Sequence, residues 1–226
     1  MFTDRARSIL DAAIKEYIKV GEPITSEKLY RNYDFGIKPA MIRSELSDLS
    51  ESGFLSQIHL SGGRLPTDKA YRFFVQNIIE DLQSVESDFL GSVKLASWDV
   101  VIEDLSDRLG LLSVGYEVEL DRVYCFGLEE LFDQLEFTDK SDLLRIVRDL
   151  DLLKPRLEEI KNKWQHDRDW PKVFIGENPI TKSKHLSLIA ERIDLDDETF
   201  FILAIGPKRM NYEKSLKLLK KFCHVR

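Results

Sequence analysis

Cysteine is scarce. Only Cys125 and Cys223 occur in 226 residues, far apart and in no CxxC pair, which argues against a disulfide framework and against a four-ligand zinc site. The four histidines, His59, His166, His185 and His224, show neither HExxH nor H-x3-5-H spacing, so neither a metal nor a cofactor is expected. No apolar run approaches the ~20 residues that a membrane span needs. The opening MFTDRARSIL lacks the basic start, apolar block and small-residue cleavage site of a signal peptide, and a cytoplasmic chain without membrane contact is expected. A nucleophile elbow, a P-loop and a paired catalytic carboxylate motif are all missing, so an enzyme is not expected. Internal repeats and low-complexity tracts are missing as well.

What is present is an ordinary globular composition, 43% apolar and 32% charged, in a length that suits one large domain or two small ones. The net charge of −7 is unevenly spread. Residues 1–78 hold eleven Lys and Arg against ten Asp and Glu, a net of +1, and the remainder holds 22 against 30, a net of −8. Nucleic-acid binding needs a basic face, not a basic chain. The acidic second part therefore leaves such binding open, and predicts weak non-specific affinity with dependence on a specific, paired site.

Residues 4–20 space Ala6, Ile9, Leu10, Ala13, Ile14, Tyr17 and Ile18 as the buried stripe of a helix ended by Gly21. Thr25-Ser26 caps a second helix over 27–32, with Leu29 and Tyr30 expected inward. Asp34-Phe35-Gly36 turns the chain, and Pro39 suits the first turn of a third helix. Ile42, Leu46 and Leu49 form the inward stripe of that helix, which leaves Ala40, Met41, Ser44 and Ser47 outward and Arg43 to one side. Small polar residues on an exposed face fit a helix that must approach the floor of a DNA groove, where a merely solvated face would carry Glu and Lys. Residues 54–59 alternate as a strand, Ser61-Gly62-Gly63 is a hairpin turn with Arg64 at its tip, and Leu65-Pro66 leaves it as a second strand. Three helices followed by a basic hairpin make a winged helix-turn-helix, whose Arg64 can lie along phosphates or in the minor groove, with Lys69 and Arg72 adding backbone contacts.

From about Thr67 a long helix spaces Tyr71, Val75, Ile78, Leu82, Val85 and Phe89 in heptads, read either as a coiled-coil seam or as packing on its own domain. After Gly91 the phase shifts to Trp98, Ile102, Leu105, Leu109 and Leu112, a second helical seam. Strands are expected over 111–119, 121–126, 172–175, 186–193 and 200–205. Helices are expected over 128–132, 141–160 and 211–222, with Leu143, Leu144, Ile146, Val147, Leu150 and Leu153 turned inward in the second, and 162–171 is read as a loop or a fraying helix end. The fold class is α+β: a winged helix-turn-helix over 1–76, a helical linker over 77–110, and an α+β domain with a mainly antiparallel sheet over 111–226.

Gly21-Glu22-Pro23-Ile24, Pro39-Ala40-Met41-Ile42-Arg43-Ser44-Glu45-Leu46 and the run from His59 through Ser61-Gly62-Gly63-Arg64-Leu65-Pro66-Thr67-Asp68-Lys69-Ala70-Tyr71-Arg72 closely resemble the heat-inducible transcription repressor family HrcA. Phe126-Gly127-Leu128, Leu135-Glu136-Phe137 and Ile205-Gly206-Pro207-Lys208-Arg209-Met210-Asn211-Tyr212 are similar to its second part. The resemblance implies a GAF-like regulatory or dimerising domain, for which the family has no established small ligand. Met41 and Ser44 stand where the family has Thr and Asn, so the operator is expected to differ, because Asn reads adenine bidentately and Ser does not. The chain is shorter than typical members by on the order of a hundred residues, the size of one domain. The gap falls near Gly115 to Leu120, where such members carry an inserted dimerising segment.

These readings together describe a sequence-specific repressor acting as a homodimer on double-stranded DNA carrying an inverted repeat. Lys38, Met41, Arg43, Ser44 and Ser47 are the candidate helix contacts, and His59, Ser61, Gly63, Arg64, Lys69 and Arg72 serve the wing and backbone. Arg43 has a structural alternative, pairing with Glu22 or Asp48, and Gly63 one in turn geometry. By resemblance, the regulated genes are chaperone operons and the chaperonin is a partner. A ligand-sensing regulator and a winged helix used for protein contacts are the alternatives.

Overall fold

The structure, a computed structural model, describes residues 3–57, 62–83, 97–135, 140–195 and 198–223. It divides into two compact units, Met1–Ile78 and Ile79–Arg226.

The first unit runs α1 (Asp4–Val20), α2 (Ser26–Asn32), α3 (Pro39–Glu51), β1 (Leu55–Gln57), β2 (Arg64–Pro66) and the start of α4 (Asp68–Gln83). Side-chain caps start the first two helices: Thr3 Oγ1 accepts from the Ala6 amide at 3.1 Å and Thr25 Oγ1 from the Lys28 amide at 3.2 Å. Helices α1, α2 and α3 pack on one another. Ile9, Leu10 and Ile14 of α1 and Ile42, Leu46 and Leu49 of α3 are buried in this unit. At about 1.5–3 kcal/mol for each large aliphatic side chain, the α3 stripe fixes which side of that helix is left outside. Two polar ties add orientation. Arg5 grips Glu45 at 2.6 Å, joining α1 to α3. Buried Glu16 accepts from Asn32 at 3.0 Å and Tyr33 at 3.4 Å, joining α1 to the end of α2. Burial, with the Glu16 charge added, pushes the Tyr33 phenol above its usual range. Strands β1 and β2 form an antiparallel ribbon with Ser56 opposite Leu65.

Tyr30, expected inward, is 51% exposed, because Ser26 and Leu29, one turn apart, fill the inner side of the seven-residue α2. In α4, Tyr71, Val75 and Ile78 are buried, Phe73 meets Phe54 edge-on at 5.7 Å, and Arg7 donates to Asn77 at 2.7 Å. That half of the heptad is thus fastened to its own unit, while Val85 and Phe89 lie outside the described residues.

The second unit holds a five-stranded antiparallel sheet in the order β4 (Arg122–Phe126), β3 (Leu112–Glu117), β7 (Glu198–Pro207), β6 (Leu186–Leu195), β5 (Lys172–Ile175). Helices cover both faces, which is why the central strands β3, β6 and β7 are almost continuously buried. On one face Val114, Tyr116, Leu188, Phe201 and Leu203 share a core with Leu131 of α6 (Leu128–Gln134), Ile146 of α7 (Lys140–Asp151), and Leu157 and Trp164 of α8 (Leu153–His166). On the other lie α5 (Trp98–Leu109) and α9 (Tyr212–Cys223). A methyl group at Gly115 would meet Phe200 Cζ at 2.6 Å and Ile102 Cγ1 at 2.8 Å, so α5 is seated directly on β3. The seam expected from Trp98 to Leu112 is accordingly turned onto this sheet: Ile102 and Leu105 are fully buried and Leu112 belongs to a strand.

Three expectations in this unit are corrected. The single helix over 141–160 is two, broken at Leu152, and restarting at Leu153 puts Pro155 in a first turn, where its missing N–H costs nothing. Leu144 and Val147 are 54% and 40% exposed, since α7 turns Ile146 and Asp149 inward. Residues 162–166, read as a loop or a fraying end, are an ordered continuation of α8 that buries Trp164.

Asp149 is the buried hub of this side of the unit. Its Oδ1 accepts from Arg156 Nη1 at 2.7 Å, and its Oδ2 accepts from the amides of Lys182 and Ser183, both at 2.9 Å. Arg156 Nη1 donates on to the Ile180 carbonyl at 2.5 Å. Asn178 completes the loop, accepting from the amides of Ile180 and Thr181 and donating to Gly176 O and Thr181 Oγ1.

Of the family-like motifs, Gly127 has φ +91° and a methyl group there would lie 2.1 Å from Ser106 Oγ and 2.4 Å from Leu111 O, so only glycine fits the turn into α6. Residues 118–121 join β3 directly to β4, in the stretch where an inserted segment was placed by resemblance. Glu136 and Phe137 lie outside the described residues.

Candidate nucleic-acid interface

The outer side of α3 is the candidate surface. With Ile42, Leu46 and Leu49 buried, Lys38, Ala40, Met41, Arg43 and Ser44 are exposed and Ser47 is half-buried. Lys38 occupies the N-cap position without a side-chain capping bond. Among the described residues no ion pair joins Arg43 to Glu22 or Asp48; Glu22 meets Lys28 instead, at 3.0 Å. The Arg43 charge is felt on two sides. It helps hold the Glu27 carboxyl below its usual range, after a backbone hydrogen bond and Ser26. It also lowers the Arg64 guanidinium, for which burial is the larger cause.

Arg64 is not at the tip of the hairpin. It opens β2, opposite Gln57, and its backbone is bonded in both directions to Ile24, N–H to O and O to N–H, each at 2.8 Å. Its Nε donates to Ser50 Oγ at 2.9 Å, and that hydroxyl donates to the Leu46 carbonyl at 2.8 Å. Ser50 and Ile24 were not among the expected site residues. A serine two turns beyond Arg43 on α3 was the only local signal, and no local signal marked Ile24.

Gly63 is required by proximity and not by a turn dihedral. A methyl group there would lie 2.7 Å from Pro23 Cβ and 2.9 Å from Ile24 O. Gly63→Ala is therefore expected to push the ribbon off the Pro23–Ile24 segment and cost about 1–3 kcal/mol as an overpacking defect. Urea unfolding followed by circular dichroism measures it, and an unchanged midpoint would show that the ribbon moves aside freely. Lys69 serves α3: its Nζ donates to the Ser52 carbonyl at 2.8 Å and lies 4.2 Å over the Phe54 ring. Arg72 is exposed on α4. His59 and Ser61 lie outside the described residues. Lys38, Met41, Arg43, Ser44, Ser47, Gly63 and Arg64 are thus gathered on α3 and the adjoining ribbon, with Lys69 at the far end of α3.

Among the described residues no group of His, Cys, Asp and Glu is arranged to hold a metal ion, Cys125 is a free thiol, and no helix is long and apolar enough to cross a membrane.

Residues 71–216 match the family model described as HrcA protein C terminal domain. The chain is 46% identical over 78 residues to the heat-inducible transcription repressor HrcA of Roseiflexus sp. (strain RS-1), covering 34% of this chain and 22% of that protein. It is 39% identical over 115 residues to the protein of the same name from Acetivibrio thermocellus, covering 50% of this chain and 32% of that protein. The matched stretches thus span a third or less of these relatives' lengths, and both relatives are named as transcription repressors, not as enzymes. In fold, the chain is similar to a crystal structure described as that of a hypothetical protein at 2.2 Å resolution, with a TM-score of 0.76 and 16% identity over 99% of this chain and 97% of that one. A family model that covers residues 71–216, well over half of the chain, together with relatives that carry the family's name, assigns the chain: it belongs to the HrcA family.

Proposed function

We propose that this chain is a sequence-specific DNA-binding repressor of transcription, active as a homodimer on an inverted repeat. The observation that carries the reading is the outer side of α3: a helix oriented by three buried aliphatic residues presents Met41, Arg43 and Ser44, with the Arg64 side chain tied alongside by Ser50. In this reading the first unit is a winged helix-turn-helix, α3 enters the major groove, and the ribbon is the wing that grips the flank. The antiparallel sheet covered by helices on both faces supports a GAF-like reading of the second unit. That unit and α4 supply the pairing, which sets two copies of α3 on successive turns of the duplex. The names of the relatives, heat-inducible transcription repressors, support a heat-responsive regulated set; chaperone genes as that set, the chaperonin as a partner and the cytoplasm as the place of action are the further parts of this proposal.

Selection of bound duplexes from a random pool tests the first part. A palindromic consensus, bound with a steep salt dependence, is expected. Recovery of no preferred sequence, or of a single unpaired half-site, would remove it. For the regulated genes, a reporter on the cell's own chaperonin promoter is expected to rise when the gene is deleted, and unchanged output would remove that part.

A further inference from the structure

Arg43, Ser47 and Ser50 stand at i, i+4 and i+7 on α3, which puts them on one stripe about 10 Å long. Ser50 at its lower end is bonded to Arg64 Nε at 2.9 Å, so a second guanidinium is carried onto the stripe that begins with Arg43. The Arg64 backbone is held just as firmly, by the two 2.8 Å bonds to Ile24, and Gly63 lets that strand close on Pro23. Ser50 itself has no slack, since its hydroxyl donates to the Leu46 carbonyl while accepting from Arg64. Neither arginine forms an ion pair with a carboxylate among the described residues. The two charges are near enough for Arg43 to disfavour the protonated form of Arg64. The fold therefore sets two like charges near one another, and the Glu27 carboxyl, which also feels the Arg43 charge, forms no ion pair with either guanidinium among the described residues. Such an arrangement is stabilised by an anion from outside, and a guanidinium is matched in geometry to a phosphate oxygen pair.

We propose that Ser50 is a positioning residue that aligns Arg64 with Arg43, so that the two guanidiniums clasp one phosphate of the DNA backbone. The proposal rests on the DNA-binding reading above and divides the labour within that surface. Arg43 and Arg64 grip and set the register, and sequence is left to the outward side chains nearer the start of α3, Met41 and Ser44. The hydroxyl of Ser47, between the two ends of the stripe, faces the same phosphate.

The test uses the full chain, a mixed-sequence duplex of 30 base pairs and the duplex selected from the random pool. Log affinity is followed against log salt concentration. The double variant Arg43→Gln/Arg64→Gln is expected to flatten the slope by about 0.9, the release belonging to one phosphate. A flattening of about 1.8 means two separate phosphates and overturns the clasp. Affinity is expected to fall by a similar factor on both duplexes. A loss confined to the selected duplex would make these arginines base readers and would also overturn it. Ser50→Ala is expected to weaken binding roughly fivefold, the worth of one hydrogen bond. It should have no further effect in an Arg64→Gln background, and Ser50→Thr, which keeps the hydroxyl, should restore binding. An Ser50→Ala loss that persists without Arg64 overturns the positioning role. Wild-type protein that binds neither duplex would instead sink the DNA-binding reading, and the clasp with it.

Discussion

Asp149→Ala is expected to lower the unfolding free energy of the second unit by about 3–5 kcal/mol, the range found when one partner of a buried ion pair is removed. The reason is the number of groups left without a partner. Arg156 keeps its charge with a side chain only 14% exposed, and the amides of Lys182 and Ser183 lose their common acceptor. A buried ion pair can often be exchanged for apolar residues of the same size without loss, because its Coulombic gain roughly cancels its desolvation. That exchange should work only in part here. Asp149→Leu/Arg156→Met removes the stranded charge but still leaves the buried Ser183 amide without its acceptor, at about 1–3 kcal/mol, and the part-buried Lys182 amide to find water, so an intermediate loss is expected. All three tryptophans, Trp98, Trp164 and Trp170, lie beyond residue 78, so urea unfolding followed by indole fluorescence reports this unit separately. A loss under about 1 kcal/mol, no more than an ordinary point change, would mean that the network is not structurally important.

Ser44→Glu is expected to abolish specific DNA binding at accessible protein concentrations, a loss of at least about a hundredfold, while stability changes by less than about 0.5 kcal/mol. The position is exposed, so a larger side chain meets no core. On the proposed reading its new carboxylate would face the phosphates of a duplex, and an unpaired like charge at an interface costs several kcal/mol. Ser8→Glu adds the same charge at an exposed site on α1 and is expected to change affinity only a few-fold through long-range repulsion, which salt screens. Equal losses in the two variants, measured by fluorescence anisotropy with the selected duplex, would show that α3 has no privileged place against the DNA.

Periodicity made α1, α3 and α9 legible, because each buries an apolar stripe at helical spacing, while β3, β6 and β7 were legible as short, largely apolar runs whose two faces are both covered. It misled where a polar residue holds an inner position. In α7 hydropathy turned Leu144 and Val147 inward, but the buried side carries Asp149, whose partners are seven residues on in Arg156 and more than thirty on in Lys182 and Ser183. Nothing local marks such a hub. The break before α8 was missed although Pro155 marks it, since a proline suits a first turn and would disrupt the interior of one continuous helix. Tyr30 illustrates a different limit: in a helix of seven residues, two adjacent apolar side chains cannot be ranked by spacing alone. At the candidate interface, the outward side of α3 followed directly from its buried stripe. The seat of Arg64 did not, because its backbone partner Ile24 is forty residues away.

The paired amides and carbonyls of Ile24 and Arg64 make the base of the ribbon three segments wide instead of two. Bending that base outward tears both bonds unless the Pro23–Ile24 segment follows, and Thr25, the next residue, caps α2. The base of the ribbon is thereby joined through Ile24 and Thr25 to the start of the second helix, so that, on the proposed DNA-binding reading, a load taken by one would be shared by the other.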